Sequence, residues 1–242
     1  MKKIFVLPLL ALLLSCTTLQ QAAGGLPTTK ATPDSPSQSQ VVEGLKQALT
    51  IGTQNSTKRL SAVDGFFADA AVKILMPPEA KSVEKTLRTF GLGSLVDKTI
   101  LSLNRAAEDA AQSATPIFVD AIKQMTITDA LGILQGGDFA ATNYFKTKTT
   151  ESLTAAFSPV IAKSLDKTDA TKYWSDMFTA YNKFSTKKVP TDLKAYVTQK
   201  AIDGIFYEVG LEEQKIRKDP AARVTDILQQ VFGSKQAAGA GK

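Results

Sequence analysis

The segment Ser94–Met125 reads SLVDKTILSLNRAAEDAAQSATPIFVDAIKQM and decides the fold class of the chain. Apolar residues recur in it at spacings of three and four, which is the period of one face of an α-helix. These residues are Val96, Ile100, Leu103, Ala107, Ala110, Ala114, Ile117, Ala121 and Met125. We therefore expect a helix over 94–125, bent at Pro116, with this stripe facing the core.

The helical period continues on both sides of this segment. Thr126 and Asp129 have the spacing of a capping box, and Asp219 before Pro220 is typical of a helix start. We expect left-handed helix ends at Gly91, Gly136-Gly137 and Gly233. The other predicted helices lie near 41–61, 66–75, 79–90, 128–135, 138–165 in one or two pieces, 169–185, 191–217 with an interruption near Gly210, and 220–232.

No stretch has convincing strand alternation, and only Lys73–Pro78 is expected to be extended, because Met76 precedes Pro77-Pro78. No linker composition divides the interior of the chain. The sequence therefore predicts an all-α protein with one multi-helix globular domain over residues 41–233.

The composition excludes several kinds of catalytic site. The chain has 242 residues, 43% hydrophobic and 21% charged, which is typical of a globular protein. It contains no histidine and one cysteine, so a Ser-His-Asp triad, a Cys-His pair, a histidine zinc site and an internal disulfide are all excluded. No motif predicts a cofactor or a metal ion.

The N-terminus has the pattern of a secretory signal. Lys2 and Lys3 precede an apolar run from Ile4 to Leu14. As a helix this run would reach about 17 Å, well short of the ~30 Å hydrocarbon core of a bilayer. Residues 1–15 are therefore predicted to be a signal peptide, not a membrane span.

Leu13-Leu14-Ser15-Cys16 resembles the lipobox of bacterial lipoproteins, in which the cysteine becomes the acylated first residue. The resemblance implies that Cys16 carries acyl chains such as palmitate and anchors the protein to a membrane. Thr17 stands where an aspartate would favour retention in the inner membrane, so the resemblance implies the outer membrane, facing the periplasm. Removal of Lys2 and Lys3 lowers the net charge from +6 to +4, and no basic block suggests nucleic-acid binding.

The two ends of the chain have the composition of disordered segments. After Cys16, residues 17–40 are rich in Thr, Gln, Ser, Pro and Gly, and the end of the chain, 234–242, is rich in Ala and Gly. We expect a flexible N-terminal tether over 16–40 and a disordered tail over 234–242.

The sequence contains the segments Asp64–Phe66, Lys73–Pro78, Asn104–Glu108, Met125–Ala130, Gly136–Tyr144, Asp192–Gly204 and Glu213–Arg217 with Asp219-Pro220. Together they resemble a bacterial family of unknown function that occurs in secreted proteins and lipoproteins of Gram-negative bacteria. The resemblance spans about residues 44–233 and implies no activity.

Polar residues beside the core stripe are the candidate site. Asn104 and Glu108 flank the stripe, and Arg105 is expected to pair with Asp109, four residues on. A ligand or ion site could combine Asn104 and Glu108 with a distant residue such as Asp129 or Arg217. Glu213 and Arg217 form a second pair at helical spacing. The alternative, which we favour, is a structural network of hydrogen bonds and salt bridges.

Three functions remain open from the sequence. The first is an anchored binding or structural module with a protein partner. The second is a carrier for a lipid or other hydrophobic ligand, and the third is a carboxylate-dependent hydrolase that uses Glu108. The carrier hypothesis depends on aromatic residues, namely Phe66, Phe67, Phe118, Phe139, Tyr144, Phe145 and those of 173–184.

Overall fold

The computed structural model describes residues 37–233 apart from 169, 185, 187, 190 and 191. The predicted signal peptide, Cys16, most of the predicted tether and the predicted tail lie outside the described residues. The first helix begins at Gln38, three residues before the predicted start, and the Ser37 side chain caps it. None of the helices in the described part is long and apolar enough to cross a bilayer.

The described residues form nine α-helices and no strand, which confirms the all-α class. Short 3₁₀ turns lie at Pro78–Ala80 and Pro220–Ala222. The helices are α1 (Gln38–Leu60), α2 (Lys81–Thr89), α3 (Gly93–Ala111), α4 (Ala114–Gln124), α5 (Ile127–Gln135), α6 (Ala140–Asp166), α7 (Ala170–Phe184), α8 (Leu193–Lys218) and α9 (Asp226–Gly233).

Helix α6 packs against both α3 and α8, while α1 packs against α8, α4 and α9. The alanines of α3 are fully buried, so their small side chains allow the backbones to approach closely. Phe118 of α4 meets the rings of Phe145 and Phe206 edge-on, with centroids 5.2 and 6.1 Å away. Trp174 and Phe178 of α7 are also buried, as their helical spacing predicts.

The predicted helix over 94–125 is two helices. The break lies at Gln112 and Ser113, and Pro116 occupies the first turn of α4, where a missing N–H costs nothing. The break also rotates the buried face. Phe118 and Ile122 are buried in α4, whereas Ile117 and Ala121 of the predicted stripe are only half-buried.

The predicted helix over 66–75 is wrong. This segment is a series of turns up to Val72, followed by residues 73–77, which have no helix or turn and which we call the extended segment. The predicted extended stretch Lys73–Pro78 ends one residue early, because Pro78 begins a 3₁₀ turn. Phe66 is fully buried against α8 at Gly204, where an added Cβ would lie 2.6 Å from the ring. The segment is therefore held by contacts with distant helices rather than by its own periodicity.

Two other predictions of helix ends are corrected. Helix α8 continues through Gly210 without interruption, and an added Cβ there would lie 3.2 Å from the Phe139 ring, so packing explains this glycine. Asp219 caps the 3₁₀ turn, and α9 begins later, at Asp226. Of the glycines predicted to end helices in a left-handed conformation, only Gly91 has a positive φ, of 79°.

Candidate functional site

Asn104 of α3 fastens the extended segment to the core. Its Oδ1 accepts the N–H of Ile74 at 2.8 Å, and its Nδ2 donates to the Ile74 carbonyl at 2.9 Å. Nδ2 also donates to the carbonyl of Ile100 in its own helix at 2.7 Å. The amide thus pairs with both main-chain groups of one residue, as a neighbouring β-strand would.

Glu108, one turn further along α3, holds the turns that precede the extended segment. Its Oε1 accepts the N–H groups of Phe66 and Phe67 at 3.1 and 3.2 Å, and its Oε2 accepts Arg105 Nη1 at 2.6 Å. Arg105 Nη2 reaches Asp64, a residue with φ of 68°, at 2.7 Å. The predicted pairing of Arg105 with Asp109 is wrong, because Arg105 contacts Glu108 and Asp64, and Asp109 accepts the Ser164 hydroxyl.

Glu213 of α8 caps the start of α6. Its carboxylate accepts the N–H groups of Ala141 and Thr142, both at 2.9 Å, and the Thr142 hydroxyl at 2.8 Å. The first N–H groups of a helix have no partner within the helix, and the helix dipole favours a negative charge there. A buried carboxylate is therefore well placed at this point.

Arg217 completes the same cluster, because its Nε donates to Glu213 at 2.9 Å. Its Nη2 donates to the carbonyl of Ile133 at 2.7 Å, near the end of α5. The last carbonyls of a helix also have no intrahelical partner. The predicted pair of Glu213 and Arg217 is confirmed, and it joins the end of α5 to the start of α6 across α8.

Asp129 lies apart from both clusters. It forms the predicted capping box with Thr126, whose N–H and hydroxyl donate to it at 3.0 and 2.7 Å. These two hydrogen bonds lower the pKa of Asp129. The carboxylate also lines a polar cleft of about 390 Å³ with Asp120, Gln124 and Lys148.

The six candidate residues therefore fall into three separate sets of contacts. Asn104, Arg105 and Glu108 hold the segment before α2, Glu213 and Arg217 hold the α5–α6 junction, and Asp129 caps α5. Within the described part of the chain, no three acidic, histidine or cysteine residues lie close enough to share a metal ion.

Sequence analysis missed a third buried carboxylate, Glu208 of α8, which is 1% exposed. Its Oε2 lies 3.1 Å from Arg59 Nη1, and its Oε1 has no hydrogen-bond partner among the residues described. Burial raises the pKa of Glu208, although the charge of Arg59 opposes this shift. The sequence contained a signal for its burial: Glu208 lies one helical turn after Gly204 and next to Ile205 and Val209 on the buried face of α8.

An open groove runs along α8, and we call it the α8 groove. It consists of two adjoining clefts of about 450 and 540 Å³ that share Asp203 and Tyr207. One wall is the extended segment, which Tyr196 fixes by donating its hydroxyl to the Leu75 carbonyl at 2.8 Å. That segment lines the first cleft, of about 450 Å³, whereas Phe139 and Lys146 line the second, of about 540 Å³.

These features define the chain as an all-helical domain whose buried polar groups hold its segments together. The sequence comparison then places it more narrowly. Residues 35–233 match the family described as Protein of unknown function (DUF4197), and the chain belongs to this family. No curated protein and no solved structure matches the chain.

Proposed function

We propose that the protein is a lipoprotein anchored to the outer membrane through Cys16 and facing the periplasm, and that its helical domain is a binding module. The anchor rests on the sequence of the N-terminus, from Lys2-Lys3 to Leu13-Leu14-Ser15-Cys16. The binding role rests on how the domain uses its buried charges.

One observation weakens the hydrolase alternative and thereby favours a binding module: all four oxygens of Glu108 and Glu213 already accept hydrogen bonds from main-chain N–H groups, a hydroxyl or an arginine. A general acid or base must be within hydrogen-bond reach of the substrate proton that it transfers. These two carboxylates instead stabilise the backbone of neighbouring segments. Hydrolysis by Glu108 is therefore the weaker proposal.

The α8 groove favours a carrier of hydrophobic ligands as the second candidate function. Five of the aromatic residues that suggested a carrier fill the core instead, namely Phe66, Phe118, Phe145, Trp174 and Phe178. Phe139 is different, because it is 46% exposed and lines the groove beside Tyr207. A carrier would therefore hold its ligand at this surface groove.

The anchor is tested by labelling cells with palmitate and separating inner and outer membranes. We expect the wild-type chain to incorporate label and to fractionate with the outer membrane. Cys16→Ala should lose the label and appear in the soluble periplasmic fraction. Ser15→Ala is the matched control, because a small residue remains before the cysteine and lipidation should persist.

A further variant tests the membrane to which the protein is sorted. Thr17→Asp should keep the label but move the protein to the inner membrane. If Cys16→Ala is labelled and fractionates like the wild-type chain, the anchor proposal is wrong.

A further inference from the structure

We propose that the α8 groove binds a single-chain anionic amphiphile, with its charged head at the Lys200 end and its acyl chain toward Leu211. This inference rests on the proposed function as a binding module and names the class of ligand. It draws on the length of the groove, its exposed apolar side chains and the placement of its charges.

The length of the groove matches one acyl chain. Lys200 and Leu211 both line it and are eleven residues apart on α8, which corresponds to about 16 Å at the rise of an α-helix. One acyl chain spans half of the hydrocarbon core of a bilayer, about 15 Å. A single extended chain therefore fits between these two residues.

Large apolar side chains are exposed along this length. Leu75 is 54% exposed, and Tyr207 and Phe139 are each 46% exposed. They follow one another from the first cleft to the second, with Tyr207 shared by both. Contact with an acyl chain would remove these surfaces from water, which is favourable by about 25 cal/mol per Å² of apolar area.

The charges of the groove are unequally distributed. Apolar side chains line both clefts, but three lysines, Lys73, Lys81 and Lys200, line the first, whereas Lys146 is the one lysine among the described residues that lines the second. This division suits a ligand with one anionic head and one apolar tail. An acidic peptide would place charges along its whole length, and a bilayer would require a protruding surface rather than a groove.

The remaining charges of the lining leave the first cleft the more positive one: among the described residues, with Asp203 counted in both clefts, the first has three lysines and one carboxylate, and the second has one lysine and one carboxylate. Asp203 is engaged by the Gln199 amide at 2.9 Å and by Lys200 at 3.7 Å. Lys73 Nζ lies 3.8 Å from the centre of the Phe67 ring, and Lys146 Nζ lies 5.9 Å from that of Phe206. Lys81 and Lys200 are therefore the residues to change.

The test uses the full chain with Cys16→Ala, so that no acyl chain of its own competes. The probes are myristoyl lysophosphatidylglycerol, which is anionic, and myristoyl lysophosphatidylcholine, which has the same tail and no net charge. Binding is measured below the micelle concentration by calorimetry, and its stoichiometry by native mass spectrometry. We expect one molecule of the anionic probe per chain and about tenfold weaker binding of the neutral probe.

Two variants locate the site. The double variant Lys81→Glu with Lys200→Glu should lower the affinity for the anionic probe by at least about tenfold, and Tyr207→Asp should lower the affinity for both probes. The matched control is Lys98→Glu with Lys163→Glu, which changes the net charge equally at exposed lysines outside the groove, and its affinity should equal that of the parent. Unchanged thermal unfolding of each variant verifies that the fold is intact.

Equal affinity for the two probes, or equal loss in the groove and control variants, would overturn the inference. Stronger binding to phosphatidylglycerol vesicles than to the monomeric probe would also overturn it, since the ligand would then be a membrane surface. Preference for an acidic amphipathic peptide would overturn it in favour of a protein partner. Because the palmitate experiment does not depend on the groove, failure here leaves the anchor proposal standing.

Discussion

Glu213 and Glu208 lie five residues apart on the same helix, and both are buried, but their surroundings differ. Glu213 faces the start of α6 and accepts hydrogen bonds from Ala141, Thr142 and Arg217. Glu208 faces the end of α1, where it forms an ion pair with Arg59, whose side chain is 52% exposed.

Burial alone does not make a carboxylate stabilising. A buried charge costs free energy unless hydrogen bonds and an opposite charge replace its hydration. Glu213 has those partners, and the helix dipole of α6 adds to them. One oxygen of Glu208 has no hydrogen-bond partner among the described residues, and burial of the carboxylate raises the pKa of Glu208.

The largest effect is expected from Glu213→Gln. The NH₂ group of the new amide would face either Arg217 or the N–H groups of α6, which are themselves donors. Arg217 is only 11% exposed, so water cannot readily replace the lost partner. Removing one partner of a buried pair costs about 3–5 kcal/mol, so we expect a loss of unfolding free energy of about 3 kcal/mol or more in urea. Glu151→Gln, at an exposed position of α6, is the control and should change stability by less than about 0.5 kcal/mol. Equal unfolding free energies of the two variants would contradict the stabilising role of Glu213.

Glu108→Gln should have a smaller effect. Arg105 keeps Asp64 as a partner and is 35% exposed, so water can replace part of the lost pair. We expect a loss of about 1–3 kcal/mol, with faster amide hydrogen exchange at Phe66 and Phe67 than in the α5–α6 junction. If Glu108→Gln lost as much unfolding free energy as Glu213→Gln, the partial exposure of Arg105 would not reduce the cost of breaking the pair.

Asn104→Leu removes the neutral member of the set formed by Asn104, Arg105 and Glu108 on α3. It leaves the N–H and the carbonyl of Ile74 without their partner, at a cost of about 1–2 kcal/mol in the unfolding free energy. Amide exchange at Ile74 should accelerate, while exchange at Thr142 stays at its wild-type rate. Acceleration at both sites would indicate that the two clusters are coupled.

The smallest effect at pH 7 is expected from Glu208→Gln, which should leave the unfolding free energy unchanged or raise it. The raised pKa of Glu208 means that the folded state holds this proton more tightly than the unfolded state. The wild-type chain should therefore gain stability relative to the variant as the pH falls through the folded pKa. Unfolding in urea at pH 7 and pH 5 measures this, and a variant that loses more stability at pH 7 than at pH 5 would contradict it.

Local sequence patterns predicted the helices well and failed where distant residues decide the structure. The capping box of Thr126 and the pair of Glu213 and Arg217 are local, and both form as predicted. The segment after Asp64 has a helical pattern, but Glu108 and Asn104 take its N–H groups and hold it in turns and extended chain.

The candidate site could be predicted residue by residue but not as an assembly. Asn104 and Glu108 were found because they flank an apolar stripe, Arg105 by its spacing to Asp109, and Glu213 by its spacing to Arg217. The main-chain groups that Asn104, Glu108, Glu213 and Arg217 hold in other segments lie 30 to 84 residues away in the chain, and no local pattern encodes such distances. The α8 groove escaped prediction for the same reason, since the residues that line its two clefts come from separate segments.

The contact of Glu213 with Ala141 joins residues 72 positions apart and has a consequence for the order of folding. Until α8 has been synthesised and has docked, the first turn of α6 and the last turn of α5 lack the groups that satisfy their ends. Closing so long a loop costs entropy before any contact compensates for it, which slows folding. In a chain exported as we propose, this delay would keep residues 127–166 loosely ordered while they are threaded through a translocation channel.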